Sequence, residues 1–224
     1  MATRIARSQL RSYRIVLPEG GKWSLHDLYV FPRAYEQCYA FVYCLDTELP
    51  ARDRDAIDYA LSQYPWKGGY SYVNIYAVLA RQVPPRERPK LKSMHKASEG
   101  WIDLLLNIEA AKELAKSVAI MSGSIVAAAA AYKKSSKLLR DIKIEREQAR
   151  LQQIQLRQQQ IKALRVTADE LAKCMGFKSL VELDKRTNDP EVTLKLLAAQ
   201  YRRMKTLLGF ETKDKAQLPV DDDV

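Results

Sequence analysis

The sequence predicts an α+β fold that is mostly helical: a small antiparallel sheet with covering helices, then a long helical connector and a C-terminal three-helix module. Three observations carry this. Short runs rich in β-branched and aromatic residues stand at 10–17 and on both sides of the turn signal at 98–100. From Ile108 to about Arg165 there is no proline and a single glycine, Gly123, in a composition that favours helix. The last third is punctuated by helix caps.

Taken in order, LRSYRIVL (10–17) alternates and is stopped by PEGG, which suits an opening strand. PRAYEQCYAFVYCL (32–45) follows, with Pro32 at a plausible first helical position and Phe31, Tyr35, Cys38, Val42 and Leu45 at spacings of three and four. Residues 51–64 supply a second helix, with Ile57 and Leu61 four apart, and 71–82 a third, with Ser71 as its cap. A proline-rich bend, VPPRERP (83–89), leads to a strand around Leu91–His95 and a return strand over 101–106. The head domain therefore covers 1–107, and a long helix or a helical hairpin broken near Ser122–Ser124 covers 108–165 as an assembly element. Thr167 with Glu170 and Ser179 with Glu182 match capping boxes, Asp189 with Pro190 matches a cap followed by proline, and Gly176 and Gly209 suit helix ends. These bound a three-helix module over 166–212, followed by an acidic flexible tail over 213–224.

With 37 Lys and Arg against 27 Asp and Glu, the net charge of +10 is concentrated in 108–165, which holds 12 basic and 5 acidic residues. Such a field gathers anionic partners or keeps a long helix soluble. Cys38, Cys44 and Cys174 have no metal-ligand spacing and suit buried thiols of a reducing compartment, so the expected location is cytoplasmic. No secretory signal is apparent, because the basic start MATRIARSQLR has no apolar run behind it.

SVAIMSGSIVAAAAAY (117–132) is an uncharged run of 16 residues between Lys116 and Lys133. As a helix it rises about 24 Å, short of a hydrocarbon core of about 30 Å. Gly123, Ala127 and Ala131 recur every four residues, the spacing that lets two helix backbones approach closely. The expectation is a packed helix at an oligomer interface made by Gly123, Ala127 and Ala131, extended by Ile154 and Ile161 of an imperfect heptad. Membrane association through 117–132 is an alternative.

Catalytic signatures are missing: there is no GxSxG elbow, no HExxH and no paired-histidine metal site. His95 near Ser98, Glu99 and Asp103 permits an imagined hydrolytic arrangement that nothing specifies, and His26 is equally isolated. Asp53, Asp55 and Asp58 suit the acidic first turn of a helix better than a magnesium site. No cofactor and no metal is expected. Anion-binding candidates are Lys67 with Trp66 and Tyr70 beside a glycine pair, Arg86, Arg88, Lys90 and Lys92 around the proline bend, and Lys133, Lys137 and Arg140 on the long helix.

ELAKCMGFKSLVEL (170–183) partly resembles a helix-turn-helix, in that Leu171, Ala172, Met175 and Gly176 suit its first helix and turn. Glu182 and Lys185 depart from it by standing where apolar anchors belong. The resemblance would make Lys178, Ser179 and Lys185 contacts to phosphates or bases, and Arg202, Arg203 and Lys205 phosphate contacts. The combined expectation is a non-catalytic oligomeric interaction or scaffold protein that presents basic surfaces to a protein or nucleic-acid partner. Sequence-tolerant nucleic-acid binding is the alternative to it.

Overall fold

In the computed structural model, which describes residues 10–45, 49–63, 73–97, 99–148, 158–177 and 180–220, the alternating runs form strands β1 (Arg11–Leu17), β2 (Lys90–His95) and β3 (Gly100–Leu106). Both neighbours of β3 are antiparallel to it, giving the order β1-β3-β2. Strand periodicity turns Tyr13, Ile15, Leu17, Ile102 and Leu106 to the core, and puts Arg14, Trp101 and Asp103 on the other face. Leu91 lies opposite Leu104 and Ser93 opposite Asp103, so Lys92 is the extra residue of a bulge in β2.

Helix α1 (Leu25–Leu45) covers the core face of the sheet and starts two turns before the expected Pro32. A reciprocal cap sets its start: the Ser24 backbone N–H donates to Asp27 Oδ2 at 2.7 Å, and the Asp27 N–H donates to Ser24 Oγ at 3.2 Å. Pro32 thus sits inside the helix and cannot donate to the Leu28 carbonyl, a fault that costs roughly 3 kcal/mol in an isolated helix. Burial offsets it, since every residue from Cys38 to Cys44 is enclosed, together with Phe31, Ala34 and Tyr35. Helices α2 (Ala51–Gln63) and α3 (Val73–Gln82) close one flank of the head, with α3 against α1.

Asn107 caps α4 (Ile108–Gly123) by accepting the Ala110 N–H at 3.2 Å. The chain breaks at Ser124, and α5 (Ile125–Gln148) leaves at 94° to α4. Helix α6 (Gln158–Cys174) then returns antiparallel along α5, with Lys134 Nζ bonded to both Glu170 oxygens at 2.7 and 2.8 Å and Gln160 Nε2 donating to Glu145 Oε2 at 2.6 Å. Helices α5 and α6 are therefore the two arms of a hairpin within one chain. Thr167, expected as a cap, is buried inside α6, because the helix already runs from Gln158. Gly176 does end it: at φ +77° it lets the Phe177 N–H reach the Ala172 carbonyl at 3.0 Å. Helix α7 (Leu180–Thr187) packs on α2, and α8 (Pro190–Glu211) starts at the expected Asp189 cap. Gly209 lies within α8, which continues to Glu211, so its expected role as a terminator does not hold.

The acidic tail was expected to start at 213, but 213–220 is bound to the head. Gln217 exchanges two backbone hydrogen bonds with Val16 at 2.8 and 3.1 Å, extending the β1 edge by one bridge. Tyr13 donates to the Pro219 carbonyl at 2.8 Å, and Trp23 donates to the Lys215 carbonyl at 2.7 Å. Trp23, Phe31 and Phe210 form a ring cluster with centroids 5.1–5.5 Å apart. Apolar anchors, Ala216 and Leu218, explain why this segment is held despite its charges. Residues 221–224 lie outside the described residues. The buried core is one cluster from Tyr13 to Leu218, crossing the sequence boundaries at 107 and 165.

Asp27 caps α1 and also accepts from Lys215 Nζ at 2.7 Å. The Lys215 bond, and next the Ser24 N–H, hold its carboxyl down at about 2. A lowered carboxyl value stabilises the fold fully above the unfolded value near 4, and the contribution fades as pH falls toward the folded value. Acid titration followed by circular dichroism should therefore show stability falling from about pH 4 toward pH 2, with a flatter curve for Asp27→Asn. Gly176→Ala should lower unfolding free energy by roughly 1–2 kcal/mol in a denaturant titration, through its left-handed backbone alone. A Cβ there would also stand 2.7 Å from Ile120 Cδ1.

Candidate functional site between the sheet and the first helix

The early start of α1 creates a surface that a helix beginning at Pro32 would lack. Leu28, Phe31, Pro32 and Tyr35 form one wall of a groove of about 370 Å³, and Ile15, Ile102 and Leu104 from the sheet form its floor. Leu91 and Met94 of β2 line the opposite side, Pro89 closes one end, and Glu36 provides a carboxylate at the rim. Apolar side chains continue outward from the groove: Leu28 is 40% exposed, Leu91 65% and Met94 41%. Leu25 and Tyr29 add to this apolar character on the first turns of α1.

Two polar features belong to this groove. Tyr35 is buried, and its hydroxyl has no hydrogen-bond partner among the described residues. Desolvation holds its ionisation well above the ordinary tyrosine value, so the group is a neutral phenol. The second feature is the outer edge of β2, along which no strand is paired among the described residues. By contrast, the β1 edge meets Gln217.

The opposite face of the sheet is polar and internally satisfied. Arg14 bonds Asp103 through Nε at 2.7 Å and through Nη2 at 3.1 Å, and Ser93 Oγ adds a donor at 2.9 Å. These bonds, Arg14 first, hold the Asp103 carboxyl below its usual range. His95 stacks on Trp101 with centroids 4.5 Å apart, and the Arg14 guanidinium lies 5.1 Å from the same ring. Asp103 thus accepts from Arg14 and Ser93, while His95 stacks on the indole, and among the described residues no hydrogen bond joins His95 to Asp103. Ser98 lies outside the described residues.

The anion-binding candidates separate into groups. Arg88 donates to the carbonyls of Val83 at 3.0 Å and Arg81 at 3.4 Å, bracing the proline bend. Arg86 lies 3.7 Å from Asp53 and 3.6 Å from Glu87. Asp58 pairs with Arg186 at 2.5 Å, and Arg186 also reaches the Cys44 carbonyl, so both aspartates hold elements together. Lys90 and Lys92 are exposed on the edge strand, and Lys133, Lys137 and Arg140 form an exposed stripe on α5. Arg203 lies over the Tyr76 ring at 5.1 Å, while Lys185, Arg202 and Lys205 are exposed. Lys67, Trp66, Tyr70, Lys178, Ser179 and Ile154 lie outside the described residues.

The helix-turn-helix resemblance meets the Arg186 clasp, which seats α7 against the head rather than leaving it free. The small-residue spacing is also broken. Gly123 ends α4 whereas Ala127 and Ala131 belong to α5, and Ala131 is buried within the chain. The three do not share one helix face. Ile161 is half-buried on α6. Cys38 and Cys44 are buried thiols, and burial pushes Cys44 up to about 12.

Pro32 suits a helix start, and that reading of the sequence hides the first two turns of α1 and the groove residues they carry. The signal was Ser24 followed by Asp27 before Leu28 and Phe31, a cap and a three-residue apolar spacing. Tyr35→Phe should leave unfolding free energy unchanged or raise it by roughly 1 kcal/mol, since an unpaired buried hydroxyl is lost; thermal denaturation measures this. Comparison of the chain with protein-family models, curated proteins and solved structures finds no match in any of the three.

Proposed function

We propose that the protein is a non-catalytic interaction protein whose head takes an extended segment of a partner protein as a fourth strand on β2. The observation that carries this reading is the coincidence of an unpaired sheet edge with the mouth of an apolar groove, both built on Leu91 and Met94. Main-chain hydrogen bonds to such an edge provide affinity for any extended chain, and pockets for alternate side chains provide selectivity. Alternation would send every second side chain of the segment toward the groove. The others would lie on the polar face, beside Lys90 and next to the bulged Lys92, so the complementary segment alternates apolar and acidic residues.

A second copy of the chain is a poorer occupant, because pairing β2 with itself would set its lysines against their own kind. A fluorescent peptide alternating valine and glutamate should bind, as read by anisotropy, and one alternating valine and lysine should not. Leu91→Lys with Met94→Lys should weaken binding by about tenfold or more, equivalent to at least about 1.4 kcal/mol, while the thermal midpoint stays in place. Equal binding of both peptides, or binding indifferent to these substitutions, removes the reading.

Nucleic-acid binding is a second reading, favoured by the exposed stripe of Lys133, Lys137 and Arg140. It requires affinity that falls linearly with salt on logarithmic axes and a slope that shrinks when these residues are reversed to glutamate.

A further inference from the structure

We propose that the corner between α4 and α5 is a wedge that enters the headgroup region of an anionic lipid bilayer without crossing it. The corner is a built feature. Ser124 stops α4, its Oγ contacts the Ile120 carbonyl at 3.0 Å and the Cys174 carbonyl at 2.9 Å, and its N–H donates to Ile120 and Met121. These bonds hold the two axes at 94° and tie the bend to the end of α6.

At the apex the apolar residues divide into two sets. Val118, Met121 and Ala128 point inward and are buried. Ile120, Ile125 and Val126 point outward, and Val126 is 82% exposed, with Ala119, Gly123, Ala127 and Ala130 exposed around them. Val126 makes no contribution to the core, Ile120 and Ile125 are partly exposed with Ile120 resting against Gly176, and the three gather at the bend. Apolar side chains exposed together in this way mark an interaction surface.

The charges identify what the surface meets. No charged residue occurs between Lys116 and Lys133, which lie seven positions from Gly123 on one arm and from Val126 on the other. Seven residues of helix rise about 10 Å, and with the arms set symmetrically about the bilayer normal the lysines stand roughly 7 Å behind the apex. That matches the burial of interfacial helices, roughly 5–10 Å into the boundary of headgroups and acyl chains. Along α5 one stripe runs Val126, Ala130, Lys133, Lys137, Arg140, all exposed, so the face that starts apolar continues basic. Lys116, Lys133, Lys137 and Arg140 are free of acidic partners among the described residues. Anionic headgroups complement this arrangement.

Among the described residues no single helix is long and apolar enough to cross a membrane, and the bend at Ser124 divides the uncharged stretch. A second copy of the chain at this corner would bring two cationic stripes together. The geometry therefore favours lipid over self-association, and insertion of a tip over a span.

The test is sedimentation of the full chain with vesicles of phosphatidylcholine alone, and with roughly a third replaced by phosphatidylglycerol. Binding is expected to the anionic vesicles, reduced by high salt and not displaced by inorganic phosphate at matched ionic strength. Val126→Asp, at a site that contributes nothing to the core, should weaken it at least tenfold with an unchanged circular dichroism melt. Lys133→Glu with Lys137→Glu should weaken it similarly. Absence of binding overturns the proposal, as does equal binding by Val126→Asp, which would mean charge acting without insertion. Displacement from the vesicles by an oligonucleotide that Val126→Asp binds equally well assigns the stripe to nucleic acid and overturns it too. So does a multimer in vesicle-free solution that Val126→Asp dissociates.

Discussion

The structure depends on enclosing α1. A helix buried on every side from Cys38 to Cys44 cannot be covered by one neighbour. Helices α3, α4 and α8 pack on it, and the sheet shares its core cluster and the groove at its first turns. This need explains why the C-terminal helix returns to the N-terminal head. It also explains the thiols: Cys38 and Cys44 are small apolar fillers at crowded positions, and burial raises both far from the values of reactive cysteines.

Enclosure is less complete at the first turns of α1, and the groove follows from that. The capping pair Ser24 and Asp27 lengthens the helix beyond the part its neighbours bury, and Pro32 interrupts the backbone ladder where the wall forms. The sheet beneath is narrow, and β2 contributes Leu91 and Met94 from an edge rather than a centre. A bulge at Lys92 and lysines on that edge are common means of discouraging indiscriminate strand pairing.

The fold class was legible from two periodicities: alternation at 10–17 and around 91–106, and helix-forming composition after 107. The bend near Ser124, the Asp189 cap and the Gly176 terminator were legible for the same local reason, since caps and breaks are written in adjacent residues. What was not legible depended on contacts distant in sequence. Pro32 resembles a helix start until the Ser24 cap and the cluster of Trp23, Phe31 and Phe210 are seen together. Thr167 resembles a cap, but α6 runs through it because Leu164, Ala168 and Leu171 pack as one face. For the site, the basic residues of the edge and of α5 were identified by composition. The groove was not, because its walls come from positions 28–36 and 89–104 and only the tertiary fold brings them together.

Tyr13 and Val16 form their bonds to Pro219 and Gln217 across more than two hundred positions of chain. During synthesis, β1 and α1 leave the ribosome long before the residues that close over them exist. At an elongation pace of roughly 5–20 residues per second, that interval is on the order of ten seconds or more, far longer than local helix formation. An apolar helix thus spends that time without its final cover, its buried face closed only once α8 and the segment behind it emerge.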